Sequence, residues 1–556
     1  MKSNQKFDPE LRTFALTLNF YSPKAYNYVR EKFNKNLPHP DSIRKWYKTV
    51  NGEPGISQEA LGCLRNMVES YKRQHKTLLC NLVMDEMSIR KHIEWTGQKF
   101  TGYVSTGVNL DTDQVPEAKE ALVYMLVALN FHWKVTVAYY LIDGLTGEER
   151  ASILNKLLSC IHETGLIVTS ITFDGAPSNV AMTRHLGANL SSLESLDPTF
   201  RHPVDKDEDM FIFLDFVHML KLIRNCLASQ GCLEDGEGNL IEWKYFVKLV
   251  EIQENEGLQL ATKLKKRHIQ WFKEKMKVRI AAQTFSNSVA DALMYLCEDA
   301  KIEYFQNVQA TAKFCKIMNN VFDIFNTHSL YSSAPYQKPP HIENYAGIFS
   351  YLNMAKQYIS TLKLNKKPVL NTPRKTGFLG ILVDITSFQL LFRKYLLEKK
   401  LLDYIISYKL SQDHLEMYFC AVRSAGGFNN NPTARQFESI FKRLLIRNEI
   451  KASERGNAIS IDSTSILYCS SITKTKTGTN LADSEEFEKT LGEINKMDFL
   501  TSSAWHLTSL TSDIVAYIAG FIIKGLKKCI TCELCLSLLE SDQPLSLLKI
   551  RKTYGK

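Results

Sequence analysis

The chain has 556 residues, 44% of them hydrophobic and 11% aromatic. That is too long for one core and apolar enough to bury several, so two to four domains are expected. Its 69 basic and 59 acidic residues leave a net charge of +10, which permits a nucleic-acid partner without establishing one. The opening MKSNQKFDPE lacks an apolar core of signal-peptide length and no uninterrupted apolar run long enough for a membrane span follows, so a secretory route and a membrane partner are not expected. The twelve cysteines then read as reduced thiols of a cytosolic or nuclear chain, most of them core fillers.

In chain order, residues 8 to about 60 read as a small helical module. Ser22-Pro23 is a good cap and first-turn pair, followed by a helix through Tyr26, Val29 and Phe33. Pro38 and Pro40 break it, and Asp41 can cap another helix that carries Ile43, Trp46 and Tyr47 inward with Arg44, Lys45 and Lys48 on other faces. Short helices joined tightly, the last one basic, suggest a helix-turn-helix over 1–62; spacing alone fits a packing module equally well.

From about residue 76 the pattern alternates. Buried strands are predicted at 78–84, 102–108, 133–142 and 167–173, with another at 211–214, a helix over 145–165 carrying Glu148 and Glu149 in its first turn, and a helix around 218–226. This is an α/β layout with a mixed sheet and covering helices, expected over 76–230 and 386–450. Between 231 and 385 strand signals fade and an all-helical insertion is expected. Residues 451–556 form a C-terminal region with a Ser/Thr-rich connection at 451–482 and a helix near 512–526.

Three acids stand out. Asp85 and Asp174 each follow an apolar strand, where a metal ligand can be rigid yet reachable. Asp413 and Glu416 share one face of a predicted helix whose Leu415, Tyr418, Phe419 and Val422 can pack inward. Two strand-end Asp and a helix Glu suit a pair of Mg²⁺ ions roughly 3.5–4 Å apart, although an Asp after a strand is more often a turn former or cap.

The segments VMDEMSI, FDGAPSN, DFVHMLKLIRN and QDHLEMYFCAVRSAGGFNNNPTARQF, in this order, resemble P-element-type DNA transposases and their THAP-domain-containing relatives over about residues 10–530. The resemblance implies an RNase H-like catalytic core split by a helical insertion, with Asp85, Asp174 and Glu416 as a metal-binding DDE triad. It implies cut-and-paste transposition of double-stranded DNA in the nucleus by a homo-oligomer. Hydrolysis at the element end frees a 3′-hydroxyl, which then attacks target DNA. A domesticated DNA-binding regulator that keeps the fold is the alternative, and a scaffold using the helical region a further one.

The resemblance also implies GTP as a cofactor that is not hydrolysed. The chain has no G-x-x-x-x-G-K-[ST] loop. Carried over by motif, the guanine-contacting residues are Phe322, Asp323 and Asn326, because a carboxylate can accept both N–H groups of the guanine edge, which adenine cannot offer. Lys277, Val278 and Ser286 match the nucleotide-facing stretch, with Asp413 near the nucleotide and Lys263 as a weaker phosphate contact beside Lys265 and Lys266. Read on its own, the segment is as consistent with a solvated lysine face.

Three further signals stay open. His218, Lys221 and Arg224 recur at helical spacing and suit either DNA phosphate, the catalytic cleft or a structural role. Cys529, Cys532 and Cys535 leave a zinc site without an evident fourth ligand. The C2CH zinc domain usual in the resembled family has no matching Cys/His cluster before residue 60, which puts end-specific DNA recognition in doubt.

Overall fold

The computed structural model describes residues 7–48, 51–107, 115–257, 259–332, 334–425, 429–446 and 465–466. The expected helix near 512–526, the cysteines at 529, 532 and 535, and almost all of the 451–482 connection lie outside them.

Three helices open the chain: α1 (Pro9–Tyr21), α2 (Pro23–Lys32) and α3 (Pro40–Lys48). Ser22 caps α2 as its sequence suggests, its hydroxyl accepting the Ala25 amide at 3.1 Å with Pro23 at the first helical position. Asp41 is not a cap. α3 starts at Pro40, whose fixed φ suits a first turn, and Asp41 inside that turn pairs with Arg44 at 2.8 Å. Phe33, expected within α2, is its exposed C-cap.

The core is an eight-stranded mixed sheet. Its members are β1 (Gly55–Ile56), β2 (Leu79–Ser88), β5 (Glu120–Ala128), β6 (Trp133–Ile142), β7 (Ile167–Phe173), β8 (Thr199–Arg201), β9 (Asp209–Leu214) and β14 (Ser465–Ile466), while β3 (Glu94–Trp95) and β4 (Phe100–Thr101) form a separate hairpin. The order is β1-β6-β5-β2-β7-β9-β8, with β14 also on β6. β6, β5 and β2 are antiparallel neighbours, and β2, β7 and β9 run parallel.

Two strand expectations need correction. β2 continues to Ser88, so Asp85 lies inside the strand and not after it. Residues 102–107 make only isolated bridges at Tyr103 and Ser105, and the second antiparallel strand is β5. Its nearly all-apolar run is buried on both faces, so it lacks the alternation that marks a half-exposed strand.

Helices α4 (Gln58–Lys72), α5 (Gly147–His162), α6 (Pro177–His185) and α7 (Phe216–Gln230) flank the sheet. α4 buries Ala60, Leu61, Leu64 and Val68 in the core shared with β2 and β6, so residue 62, the expected module boundary, falls inside a helix of the sheet layer.

The insertion contributes α8 (Lys244–Glu256), α9 (Lys266–Ile269), α10 (Val278–Thr284), α11 (Asn287–Glu298), α12 (Gln309–Phe325) and α13 (Tyr345–Thr361). It is mainly helical, with a small four-stranded sheet of β10 (Cys232–Glu234), β11 (Leu240–Glu242), β12 (Lys363–Leu364) and β13 (Lys367–Pro368) where it leaves and rejoins the core. Strands of two or three residues carry too little pattern to be seen in the sequence.

α14 (Thr376–Phe392) continues helically to Glu398, and that run is long and apolar enough on composition to cross a membrane, yet it is a core helix: Phe378, Ile381, Leu382, Ile385 and Phe388 are fully buried. α15 (Asp413–Ala425) and α16 (Ala434–Ile446) close the sheet half of the molecule. Their apolar residues pack on the Val83, Met87 and Val123 face of the sheet, and Leu16, Tyr26 and Ile43 of the N-terminal module join the same cluster.

Candidate active site at the ends of the parallel strands

Strand alternation sets the geometry. On β2, Val83 and Met87 pack into the cluster that contains α15, so Asp85 between them faces the same helix. Glu86 points to the other face and pairs with the buried Arg150 of α5. Asp85 is half-buried in this strand, and its Oδ1 accepts the Glu86 amide at 2.8 Å.

Asp174 follows the last residue of β7. Its Oδ1 accepts the Ala176 amide at 3.0 Å and the Asn179 side-chain amide at 2.7 Å. Asn179 in turn accepts a bond from Arg150 at 3.1 Å. Glu86, Arg150, Asn179 and Asp174 therefore form one chain, and it reaches Asp174 from the residue beside Asp85.

A further acid lies next to this pair. The Asp215 amide donates to the Phe173 carbonyl at 2.8 Å, which sets Asp215, at the end of β9, beside Asp174. Asp215 caps α7 by accepting the His218 amide at 3.2 Å.

Glu416 reaches the site through a tightly held approach. Asn81, fully buried on β2, donates to the Lys409 carbonyl at 3.1 Å, and Thr172 of β7 donates to the Leu410 carbonyl at 2.9 Å. The Lys409 ammonium donates to the carbonyls of Leu129 and Phe131 at 3.0 and 2.7 Å. Gln412 finishes the docking: its side chain donates to the Met84 carbonyl at 2.7 Å and its amide to Asp215 Oδ1 at 3.0 Å. One turn on, Glu416 projects from α15 into the space these contacts enclose.

The electrostatics register the convergence. Burial first, then the charges of Asp174, Glu416 and Glu86, push the Asp85 carboxyl well above its ordinary range against the lowering Glu86 amide bond. Glu416 is raised by burial, and Lys221 and Arg423 offset part of that. Burial raises Asp215 to about 7, against the amide bonds from Gln412 and His218.

Asp85 and Asp174 each engage Oδ1 with amide donors, the Glu86 backbone for Asp85 and the Ala176 backbone and Asn179 side chain for Asp174. An all-carboxylate set is the donor chemistry that Mg²⁺ prefers. As the side chains stand, no group of three or more His, Cys, Asp or Glu among the described residues is close enough to hold a metal ion. The acids share a field without being drawn to one point, as expected of mutually repelling carboxylates.

The helical motif on α7 divides. His218 and Lys221 turn to the acids, with Lys221 Nζ 2.7 Å from His218 Nε2. Arg224 is fully buried and structural, donating to the Asn225 side chain at 2.8 Å and the Glu274 carbonyl at 2.9 Å.

The nucleotide candidates are only partly gathered. Phe322, Asp323 and Asn326 occupy the last turn and C-cap of α12. Asp323 accepts the Asn319 side-chain amide at 2.9 Å, and Asn319 Oδ1 accepts the backbone amide of Asn287 at 3.2 Å, which brings Ser286 at the start of α11 alongside. Burial raises the Asp323 carboxyl. Lys277 and the buried Val278 begin α10, with Lys277 paired to Glu274 at 2.8 Å. Asp413 is buried at the head of α15, and Lys263 is exposed on the α8–α9 loop with no contact tying it to the others.

Sequence reasoning missed Asn179, Arg150 and Gln412 altogether. FDGAPSN holds Asn179 five residues after Asp174, and its polarity so close to a strand end was the one available signal.

Comparison with known proteins agrees with this architecture. Residues 1–46 match a Transposable element P transposase-like HTH domain, 52–187 a TNP-like RNase H N-terminal domain, 217–339 a TNP-like GTP-binding insertion domain and 408–442 a TNP-like RNase H C-terminal domain. Residues 506–556 match the C-terminal domain of DNA transposase THAP9. The chain is thus a P-element-transposase-like protein with an RNase H-like core and a helical insertion of the GTP-binding type.

It is 26% identical to human DNA transposase THAP9 over its whole length, and 27% identical to the Drosophila melanogaster Transposable element P transposase over 92% of it. It spans 62% and 63% of those two relatives. The fold matches the Drosophila P element transposase strand transfer complex with a TM-score of 0.65 at 24% identity, over 79% of this chain and 92% of that one.

Proposed function

We propose that the chain is the catalytic body of a cut-and-paste DNA transposase, cleaving and joining DNA strands through Asp85, Asp174 and Glu416 in the nucleus as a homo-oligomer. The observation that carries the reading is the common electrostatic neighbourhood of these acids, which come from three distant stretches of the chain and all act on the buried ammonium of Lys221.

The residues of the chain act by holding geometry. The Ala176 and Asn179 bonds fix Asp174, the β2 backbone fixes Asp85, and the Gln412 contacts hold the helix that carries Glu416. Divalent cations held by the three carboxylates would supply activation of the attacking oxygen and stabilisation of the leaving one. With phosphoryl chemistry of this kind, positioning is most of what the protein contributes.

GTP fits as a cofactor bound by the insertion. Asp323, raised by burial and aligned by Asn319, would accept the guanine N1–H and N2–H groups. Ser286, Phe322 and Asn326 line the same neighbourhood, and Lys277 and Lys263 would meet phosphate. Lys277 would exchange Glu274 for that role.

A second reading, a DNA-binding regulator that retains the fold, draws on one observation: the acids are not gathered to ligating distance. Incubating the purified chain with supercoiled DNA, Mg²⁺ and GTP separates the two. The transposase reading expects nicking that Glu416→Gln abolishes, and the regulator reading expects binding without nicking.

A further inference from the structure

α7 places a lysine where a metal site would least be expected to have one. The Lys221 side chain belongs to a residue only 3% exposed. Its one close polar partner among the described residues is His218 Nε2 at 2.7 Å. The ring of that His218 lies 3.8 Å from Asp215 Oδ2, which sets the ammonium behind the acids. Burial lowers the affinity of the ammonium for its proton, and the charges of Asp215, Glu416, Asp174 and Asp85 offset only part of that.

His218 is itself held as a neutral ring, pushed down to about 4 by burial and by Lys221, so its Nε2 accepts a bond from the ammonium. A neutral imidazole cannot compensate a buried charge, whereas the negative charge carried by the acid cluster can. Among the described residues the ammonium makes no direct ion pair with any of these acids, so it balances the cluster as a whole and not one member.

We propose that Lys221 is the internal counter-cation of the acid cluster in the metal-free protein, steadied by His218, and that divalent cations compete with it for the carboxylates. This rests on the reading of Asp85, Asp174 and Glu416 as cation ligands. Two consequences follow. Without metal, Lys221 relieves repulsion among the acids. With metal, it opposes binding, because its charge repels the incoming ion.

Thermal unfolding of the whole chain, in EDTA and across a MgCl₂ series without DNA, tests this. Wild type should gain stability with Mg²⁺, and Glu416→Gln should lose most of that gain. Lys221→Met should melt lower than wild type in EDTA, reach half-maximal stabilisation at roughly a tenfold lower Mg²⁺ concentration, about 1.4 kcal/mol, and recover much of the deficit at saturation. Lys221→Arg, which keeps the charge, should stay within about twofold of wild type.

If wild type shows no Mg²⁺-dependent gain, the ligand reading itself fails. If wild type gains but Lys221→Met has the same or a higher half-saturating concentration, with an equal deficit in EDTA and in Mg²⁺, Lys221 is merely structural and the proposal is overturned. Should Lys221→Met be unfolded in EDTA, recovery of the folded state by Mg²⁺ supports the proposal, and failure to recover contradicts it.

Discussion

Asp174 is held at two removes. Asn179 orients its carboxylate, Arg150 orients Asn179, and Glu86 on the neighbouring strand anchors Arg150. Groups that orient a ligand without touching the reacting atoms typically contribute about 10–100-fold. Asn179→Ala should therefore slow Mg²⁺-dependent DNA nicking by about that factor, measured at saturating DNA, while the chain still folds. In the insertion, Asp323→Ala should weaken GTP binding by about 1–3 kcal/mol, the cost of leaving the guanine donors unmet, and reduce the preference over ATP in a calorimetric titration. Equal binding of the two nucleotides by the unmutated chain would remove Asp323 from that role.

How far such residues can be read from sequence follows from the range of their contacts. Asp174 could be placed because it follows a dense apolar strand, and Glu416 because its helix carries an inward apolar face, whereas Asp85, expected after a strand, lies inside β2. Lys221 could be noticed but not assigned, since His218-Lys221-Arg224 is one periodic series that the structure divides between site and core. Gln412 and Asn81 act through partners hundreds of residues away: the Gln412–Met84 and Asn81–Lys409 bonds each span 328 positions. Nothing local marks them.

At the scale of elements, burial on both faces explains the successes and the misses together. β6 and β7 announce themselves by β-branched and aromatic residues, whereas β5 (EALVYMLVA) has no alternation and a composition that suits a helix as well. Its partners decide it, with every residue from Ala121 to Ala128 packed in the core.

α5 is the opposite case. Its capping box is written in the sequence, and in the structure Thr146 accepts the Glu149 amide at 3.2 Å while Glu149 accepts the Thr146 amide at 2.8 Å. Thr146→Ala should lower stability by about 0.5–2 kcal/mol, seen as a lower urea midpoint at unchanged slope. Leu154→Ala, a fully buried position on the same helix, should cost about 2–5 kcal/mol. A reversed order would mean that α5 does not pack on the sheet as described.

Across the whole molecule, the sheet brings together what the sequence separates. The acids lie at 85, 174, 215 and 416, and the parallel β2, β7 and β9 set three of them along one edge before α15 adds the fourth. The insertion interrupts the core between β9 and α15, yet its α12 returns to it. The Thr327 amide donates to Ser407 at 3.1 Å, and Phe325 stacks on Phe216 with ring centroids 4.8 Å apart. A nucleotide at the end of α12 would thus sit near the start of α7, next to Asp215, and near the segment that leads into α15.

The insertion also gives the molecule a pH signature. His268, buried at 1% exposure beside Gln283, is held below its ordinary pKa of about 6.5, chiefly by burial. The unfolded chain then binds this proton more readily than the folded one. The contribution of the neutral ring is complete above about pH 6.5 and is lost as pH falls through the lower folded value. The stability difference between wild type and His268→Gln should therefore shrink from pH 7 to pH 5 in parallel melting curves. A difference that widened would reverse the sign assigned to burial.

The most direct test of the central claim is strand cleavage with the triad intact and with one member neutralised. Supercoiled DNA is incubated with the purified chain, Mg²⁺ and GTP, and nicked product is followed against time for wild type and for Asp85→Asn, Asp174→Asn and Glu416→Gln. We predict nicking by wild type that EDTA abolishes, and at least about a 100-fold loss in each variant, since even residues that only orient a metal ligand contribute up to that much. Equal nicking by wild type and the three variants, or none by any of them, would contradict the account.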